Sequence, residues 1–249
     1  MTHRRIAAAV ALTWTMTLAP ANAQAPAAAI KPTEVIKLFD GKSLSNFETW
    51  LVDHHATDPE RVFTVVDQID GAPAIRVSGQ VWGGILTKQA YRDYRLIVEF
   101  RWGGATWGNR KDRARDSGVL LHAQGRLGNT GKDFNGPWLR SIEFQIIEGG
   151  VGDILPVAGY EEDGTQVRPS VTTTTRKDRD NETVYDEKGT VNTLSGGRIN
   201  WWGRSEDWAD KLGFRGQNDI DKSQAEWTGF HVIVDGGHVQ NYVNGTLVN

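Results

Sequence analysis

The run Ser141-Ile142-Glu143-Phe144-Gln145-Ile146-Ile147-Glu148 sets two carboxylates and an amide among β-forming apolar residues. Side chains alternate between faces in a regular strand. Glu143, Gln145 and Ile147 therefore share one face, and Phe144, Ile146 and Glu148 the other. Polar residues at alternate positions of such a run mark a face that meets water or a ligand. A β-bulge between Gln145 and Glu148 would shift Glu148 by one place and line a single groove with Glu143, Gln145 and Glu148. Two carboxylates in a groove divide acid, base or nucleophile roles, or hold a hard metal ion. Spacing alone equally allows a solvated sheet face ending in an edge glutamate.

Other polar residues flank that run. His122 ends the apolar stretch after Asp116-Ser117-Gly118, where a histidine is either a satisfied rim residue or a proton-transfer group. Asp153 closes the loop Gly149-Gly150-Val151-Gly152 and can face the same groove. His122, Glu143, Glu148 and Asp153 together offer N and O ligands for a divalent ion, the one cofactor the sequence admits. His54, His55 and His231 have no partner identifiable from spacing. No H-E-x-x-H, G-x-S-x-G or phosphate loop occurs, so neither a zincin nor a serine triad is supported.

Tryptophan supplies a second constellation, with ten in the chain. Trp102 continues an inward-facing alternation. Trp82 beside Gly83-Gly84, Trp138, and the Trp201-Trp202 pair sit in glycine-flanked or polar loops. Exposed rings there stack on the apolar faces of sugars; the alternative is that they plug the ends of a sandwich.

The elements that must carry these residues have period two. Tyr94, Leu96, Val98, Phe100 and Trp102 alternate with polar or outward residues, and Phe230, Val232 and Val234 repeat the pattern. Shorter β-rich runs cover 61–66, 74–78, 85–87, 117–123 and 141–148. Asp70-Gly71, Gly83-Gly84, Gly236-Gly237 and Asn244-Gly245 punctuate them as turns. Strands without intervening helices predict an all-β antiparallel sandwich or barrel. Only short helices fit, for instance over 43–51. The segment 107–116 reads as a solvated charged loop. The weakly periodic stretch 161–227 reads as partly ordered loops with at least one strand. Val239–Val243, Asn244-Gly245 and Thr246–Val248 spell strand, turn and strand, and the stop at Asn249 leads to the expectation that a closing strand follows in a longer chain.

Composition narrows the function classes. The 249 residues are 39% hydrophobic and 24% charged with net charge −3, a balance that gives no basic footprint for nucleic acid and no polybasic membrane patch. With no cysteine, thiol catalysis, disulfides and Cys-ligated metals are excluded. Arg4 and Arg5, the apolar run 6–19 and Ala21-Asn22-Ala23 form a charged, an apolar and a cleavage region, which predicts a secretory signal over 1–25. The apolar run is shorter than the ~20 residues that span a bilayer. A secreted or periplasmic protein is expected, with a loose tail over 26–34, one domain over 35–249 and no membrane span.

Five ordered blocks carry a resemblance. Leu38-Phe39-Asp40-Gly41-Lys42-Ser43-Leu44-Ser45-Asn46-Phe47 comes first. Gly84–Thr87 with Tyr91, Asp93-Tyr94 and Glu99-Phe100-Arg101 is next. Asp116-Ser117-Gly118 with His122, then Glu143 with Gln145, and Glu226-Trp227 through Asn244-Gly245 complete the order. From about Val35 to Asn249 the chain resembles the 3-keto-disaccharide hydrolase family. The resemblance implies a concanavalin A-like jelly roll, two antiparallel sheets with a concave binding face. It also implies cleavage of 3-keto-glycosides: a C3 ketone acidifies the C2 proton, the C1 oxygen leaves by β-elimination, and water adds back. On that reading His122 and Glu143 transfer protons, Glu148 is an acid or metal ligand, and Gln145 orients by hydrogen bonding. Trp82, Trp138, Trp201, Arg101 and Asp153 then contact a small carbohydrate substrate.

The Glu143–Gln145–Glu148 spacing also resembles the Glu-x-Asp-x-x-Glu catalytic strand of family 16 glycoside hydrolases. Neutral Gln145 stands at the central acid and cannot tune its neighbours as a shared charge does. A non-catalytic lectin-like module and a family 16-like retaining glycosidase are the alternatives.

Overall fold

The computed structural model describes residues 28–249, and the secretory signal expected over 1–25 lies outside them. The strands in chain order are β1 (Phe47–Leu51), β2 (Phe63–Ile69), β3 (Ala72–Val77), β4 (Gly83–Thr87), β5 (Arg95–Phe100), β6 (Asp116–Gln124), β7 (Arg140–Ile147) and β8 (Ile154–Val157). They continue with β9 (Gly159–Tyr160), β10 (Gln166–Val167), β11 (Val171–Lys177), β12 (Thr183–Tyr185), β13 (Thr190–Leu194), β14 (Thr228–Asp235), β15 (His238–Val243) and β16 (Thr246–Leu247). A single 3₁₀ turn, Gly108–Arg110, is the one helical element among the described residues.

Two layers hold the site. In the first, β6, β7 and β8 pair antiparallel. Residues 198–200 extend this layer through an antiparallel bridge between Ile154 and Ile199 and a parallel bridge between Val184 and Asn200, which lead on to β12, β11 and β13. The second layer runs β16-β15-β14-β5. Side chains of period two from both layers meet between them. Leu121, Phe144, Ile146, Ile154 and Ile199 come from the first, and Phe230, Val232, Val234 and Val243 from the second. Phe144 and Phe230 face each other at 6.5 Å between ring centroids. Burying rings of this size stabilises the fold by about 1.5–3 kcal/mol each. The predicted all-β sandwich is observed.

The alternation predicted for β5 also holds. Tyr94, Leu96, Val98 and Phe100 pack on the core, whereas Ile97 between them is exposed. Asn244 and Gly245 both take positive φ between β15 and β16, the type I′ geometry whose twist matches a two-residue hairpin. The expected short helix over 43–51 is absent. The Asp40 carboxylate accepts the N–H groups of Lys42 and Ser43 in a local turn, and Phe47–Leu51 pairs with β4 instead. Cross-strand pairing outweighs weak helix preference in so short a segment.

The β6–β7 ladder keeps a regular register from Asp116 opposite Ile147 to Leu121 opposite Ile142. No bulge separates Gln145 from Glu148. The irregularity falls instead between Leu121 and Gln124, where His122 adopts φ 52°. That correction decides which carboxylates share a groove.

Candidate active site

With Phe144 and Ile146 committed to the core, Glu143 and Gln145 project from the opposite face of β7. Cross-strand partners share a face, so Asp116, Gly118 and Leu120 of β6 join them. Gly118 leaves room for the Glu143 carboxylate, which lies across it; a methyl group there would push that carboxylate aside. The Gln145 side-chain amide donates to Asp116 Oδ1, so the glutamine ties one acid of the face in place.

The two acids occupy an unusual electrostatic setting. Burial, reinforced by the negative charge of Asp116, pushes the Glu143 carboxyl up to about 7, against a smaller opposing pull from Arg198. Burial also raises Asp116 above the ordinary carboxylate range; Arg110, Arg198 and the Gln145 hydrogen bond oppose that rise. Arg110 is held bidentate by Asp210 at 2.7 and 2.9 Å and stays 4.0 Å from Asp116. A carboxyl near neutrality can take a proton and return it at the pH of most natural surroundings. Arg198, whose charge acts on both acids, lines a cavity of about 310 Å³ with Lys177, Glu182, Asn200 and Trp208 among others; Asp116, Glu143 and Gln145 do not line it. That volume is at the lower end of the range for small-molecule sites.

The remaining predicted residues fall elsewhere. Glu148 is buried and sealed: its carboxylate accepts Arg115 N–H at 2.8 Å, Gly213 N–H at 3.1 Å and the Arg115 guanidinium. Asp153, fully buried, accepts Trp201 N–H at 2.9 Å and pairs with Arg198 and Arg204. Glu143 and Glu148 therefore do not form the facing carboxylate pair a retaining glycosidase uses. Trp201 is only 1% exposed and belongs to the core, so its ring cannot stack on a ligand. Trp82 and Trp138 are half-buried and pack edge to face at 5.4 Å, stapling the start of β4 to the loop before β7.

Arg101 pairs with Asp70 at 2.8 Å and lies over Trp227, at the end of the second layer. His122 is exposed on the bulge, and no hydrogen bond joins it to Glu143 among the described residues. Nor do three His, Asp or Glu side chains converge on a metal-sized site among those residues. The set His122, Glu143, Glu148 and Asp153 does not fit a divalent ion, because two of its carboxylates are turned to arginines.

Asp116, Arg198 and Trp208 are additions that sequence reasoning missed. Asp116 has the right parity with Gly118 and Leu120, but only the β6–β7 register reveals that it faces Glu143. Arg198 and Trp208 come from the weakly periodic stretch, where β10, β11, β12 and β13 meet the expectation of at least one strand. Residues 107–113 form the largely exposed charged loop expected, but Ala114 and Arg115 are buried and Arg110 comes within 4.0 Å of Asp116.

The crystal structure of a "putative glycosyl hydrolase" from Parabacteroides distasonis superposes with a TM-score of 0.40 at 16% identity, covering 85% of this chain and 69% of that one. This superposition is too loose to align individual site residues. No curated protein matches the chain. No described helix is long and apolar enough to cross a membrane. Residues 34–249 match the family described as the 3-keto-alpha-glucoside-1,2-lyase-like domain, nearly all of the described chain, and the protein belongs to that carbohydrate-active family.

Proposed function

We propose that the protein cleaves 3-keto-glycosides outside the cytoplasm by elimination and hydration. The observation that carries this reading is Glu143: a carboxyl raised to about 7, on the face of β7 turned away from the core and under the influence of Arg198, which lines the cavity. Proton abstraction next to a ketone needs a base of that kind more than it needs a nucleophile. Glu143 removes the C2 proton. The Asp116 carboxylate, tied in place by Gln145, helps keep Glu143 basic enough for that step, and the departing C1 oxygen takes its proton from water. Water then adds across the C1–C2 double bond of the enone. Glu148, closed off by Arg115, does not serve as the acid.

Incubating purified protein with 3-keto-trehalose and with trehalose, and following each sugar by NMR, tests the reading. Loss of the keto sugar alone supports it. Binding without turnover assigns a lectin-like module, and cleavage of unoxidised trehalose assigns a conventional glycosidase. The extracytoplasmic location is tested separately: N-terminal sequencing of protein from the source cell should find a start near Gln24 or Pro26. An intact N-terminus on cytosolic protein refutes it.

A further inference from the structure

Arg198 is anchored at one end and open at the other. Its Nη1 donates to Asp153 Oδ2 at 3.3 Å, and Asp153 is itself immobilised by Trp201 N–H and by Arg204. No other hydrogen bond is made by the Arg198 guanidinium among the described residues, although its side chain is 30% exposed and lines the cavity. A guanidinium carries five N–H donors, so most of them remain available to a ligand. Charge held this way, with a buried carboxylate behind it, is preorganised at no cost when a reaction begins.

Strand register sets this cation opposite the base. Ile154 and Ile199 exchange backbone hydrogen bonds and both face the core, which places Arg198 across from Leu155 on the other side of the layer. Leu155 is in turn the partner of Glu143. Glu143, Leu155 and Arg198 thus form one row, with the outer two separated by two strand spacings, about 10 Å between backbones. Glu143 turns its carboxylate over Gly118 of β6 and Arg198 turns to Asp153, so both side chains stand on one face of the layer without meeting. Arg198 lines the cavity beside Trp208 and Asn200, and its charge also acts on Glu143 along the row.

The geometry points to Arg198 as the catalytic cation that receives the C3 oxygen of the substrate, an assignment that rests on the keto-glycoside reading. As Glu143 takes the C2 proton, the C2–H electron pair forms a C2–C3 double bond and the carbonyl pair moves onto O3. Arg198 hydrogen-bonds and charge-balances that enolate oxygen. The pair then returns: the C3 carbonyl re-forms, C1 and C2 become doubly bonded, and the C1–O bond breaks. The leaving oxygen gains a proton. No electrons are gained or lost overall.

The test uses the full chain, with 3-keto-trehalose turnover and C2 hydrogen–deuterium exchange of 3-keto-glucose in D₂O as readouts. The second reaction has no glycosidic leaving group and reports enolate formation alone. Arg198→Ala should slow both by about 10²–10³-fold, the usual cost of removing an oxyanion donor. Added guanidinium ion should restore at least tenfold. Arg198→Gln keeps an N–H for Asp153 without the charge, so it serves if the alanine variant fails to fold, and it should lower both rates by at least tenfold. Wild-type rates in either folded variant, or a loss of turnover with exchange unaffected, overturn the assignment of Arg198. Wild-type protein that leaves 3-keto-trehalose untouched overturns the keto-glycoside reading itself, and this inference with it.

Discussion

Four acids of the first layer form two pairs with opposite surroundings. Glu148 and Asp153 each meet arginine directly and accept backbone N–H groups as well. Glu143 and Asp116 are also taken from water, yet their nearest charges include each other, and the closest guanidinium to Asp116 is 4.0 Å away on an arginine already gripped by Asp210. A carboxylate locked by cations and amides is a structural pin. A carboxylate buried beside another and short of direct cation contact holds its proton loosely enough to exchange it near neutrality. Residue type does not separate the two pairs; the partners do, together with the fuller burial of Glu148 and Asp153.

Breaking one member of each pair should therefore give opposite results. Glu143→Gln keeps size and hydrogen-bonding reach but cannot accept the C2 proton. Turnover of a 3-keto-glycoside should fall by about 10²–10⁴-fold, with the melting temperature at pH 5 within a degree or two of wild type. Glu148→Gln leaves Arg115 as an uncompensated buried charge and should cost about 3–5 kcal/mol of stability in denaturant titration. A Glu148→Gln protein of normal stability that has lost turnover would erase the distinction.

The tryptophan pair sharpens the same contrast between pin and surface. Trp201 is in the core, so Trp201→Ala should cost about 3–5 kcal/mol and change sugar affinity little in the protein that remains folded. Trp202 is 48% exposed and donates to Leu247 O at 2.9 Å; its alanine variant should lose under about 1 kcal/mol. Equal losses at both positions would contradict this placement.

A smaller effect appears in the pH dependence of stability. Glu143 binds its proton more tightly in the folded protein, about 7 against an ordinary 4.5. Its stabilising contribution is complete below about pH 4.5 and is lost as the pH rises through about 7. Glu143→Gln, neutral throughout, escapes that loss. It should overtake wild type by on the order of 1–3 kcal/mol between pH 5 and pH 8, as read by thermal melts across that range. A gap that shrinks with pH reverses the sign and removes the raised carboxyl. In wild type, kcat/KM should climb through about pH 7 as Glu143 ionises.

The strands were legible because their signal is local. Five inward apolar residues from Tyr94 to Trp102, and the Asn244-Gly245 turn, need nothing but period two and the tolerance of asparagine and glycine for positive φ. Glu143 and Gln145 were legible for the same reason, as polar residues on one face of an apolar strand. Glu148 was misjudged because it required a bulge that the β6–β7 ladder places near His122 instead. Trp201 was misjudged because polar neighbours in sequence do not reveal what packs on a ring from the other layer.

From residue order alone came the alternation, the turns, the sandwich and the polar face of β7, since each depends on neighbours within a few positions. Tertiary structure decided the partners. The register of β6 set Asp116 on the Glu143 face, and arginines from positions 115, 198 and 204 came to neutralise Glu148 and Asp153 across gaps of 33 to 51 residues. The proton affinity of a carboxyl is set by charges and solvent within a few ångströms. Those distances exist only once the chain has folded.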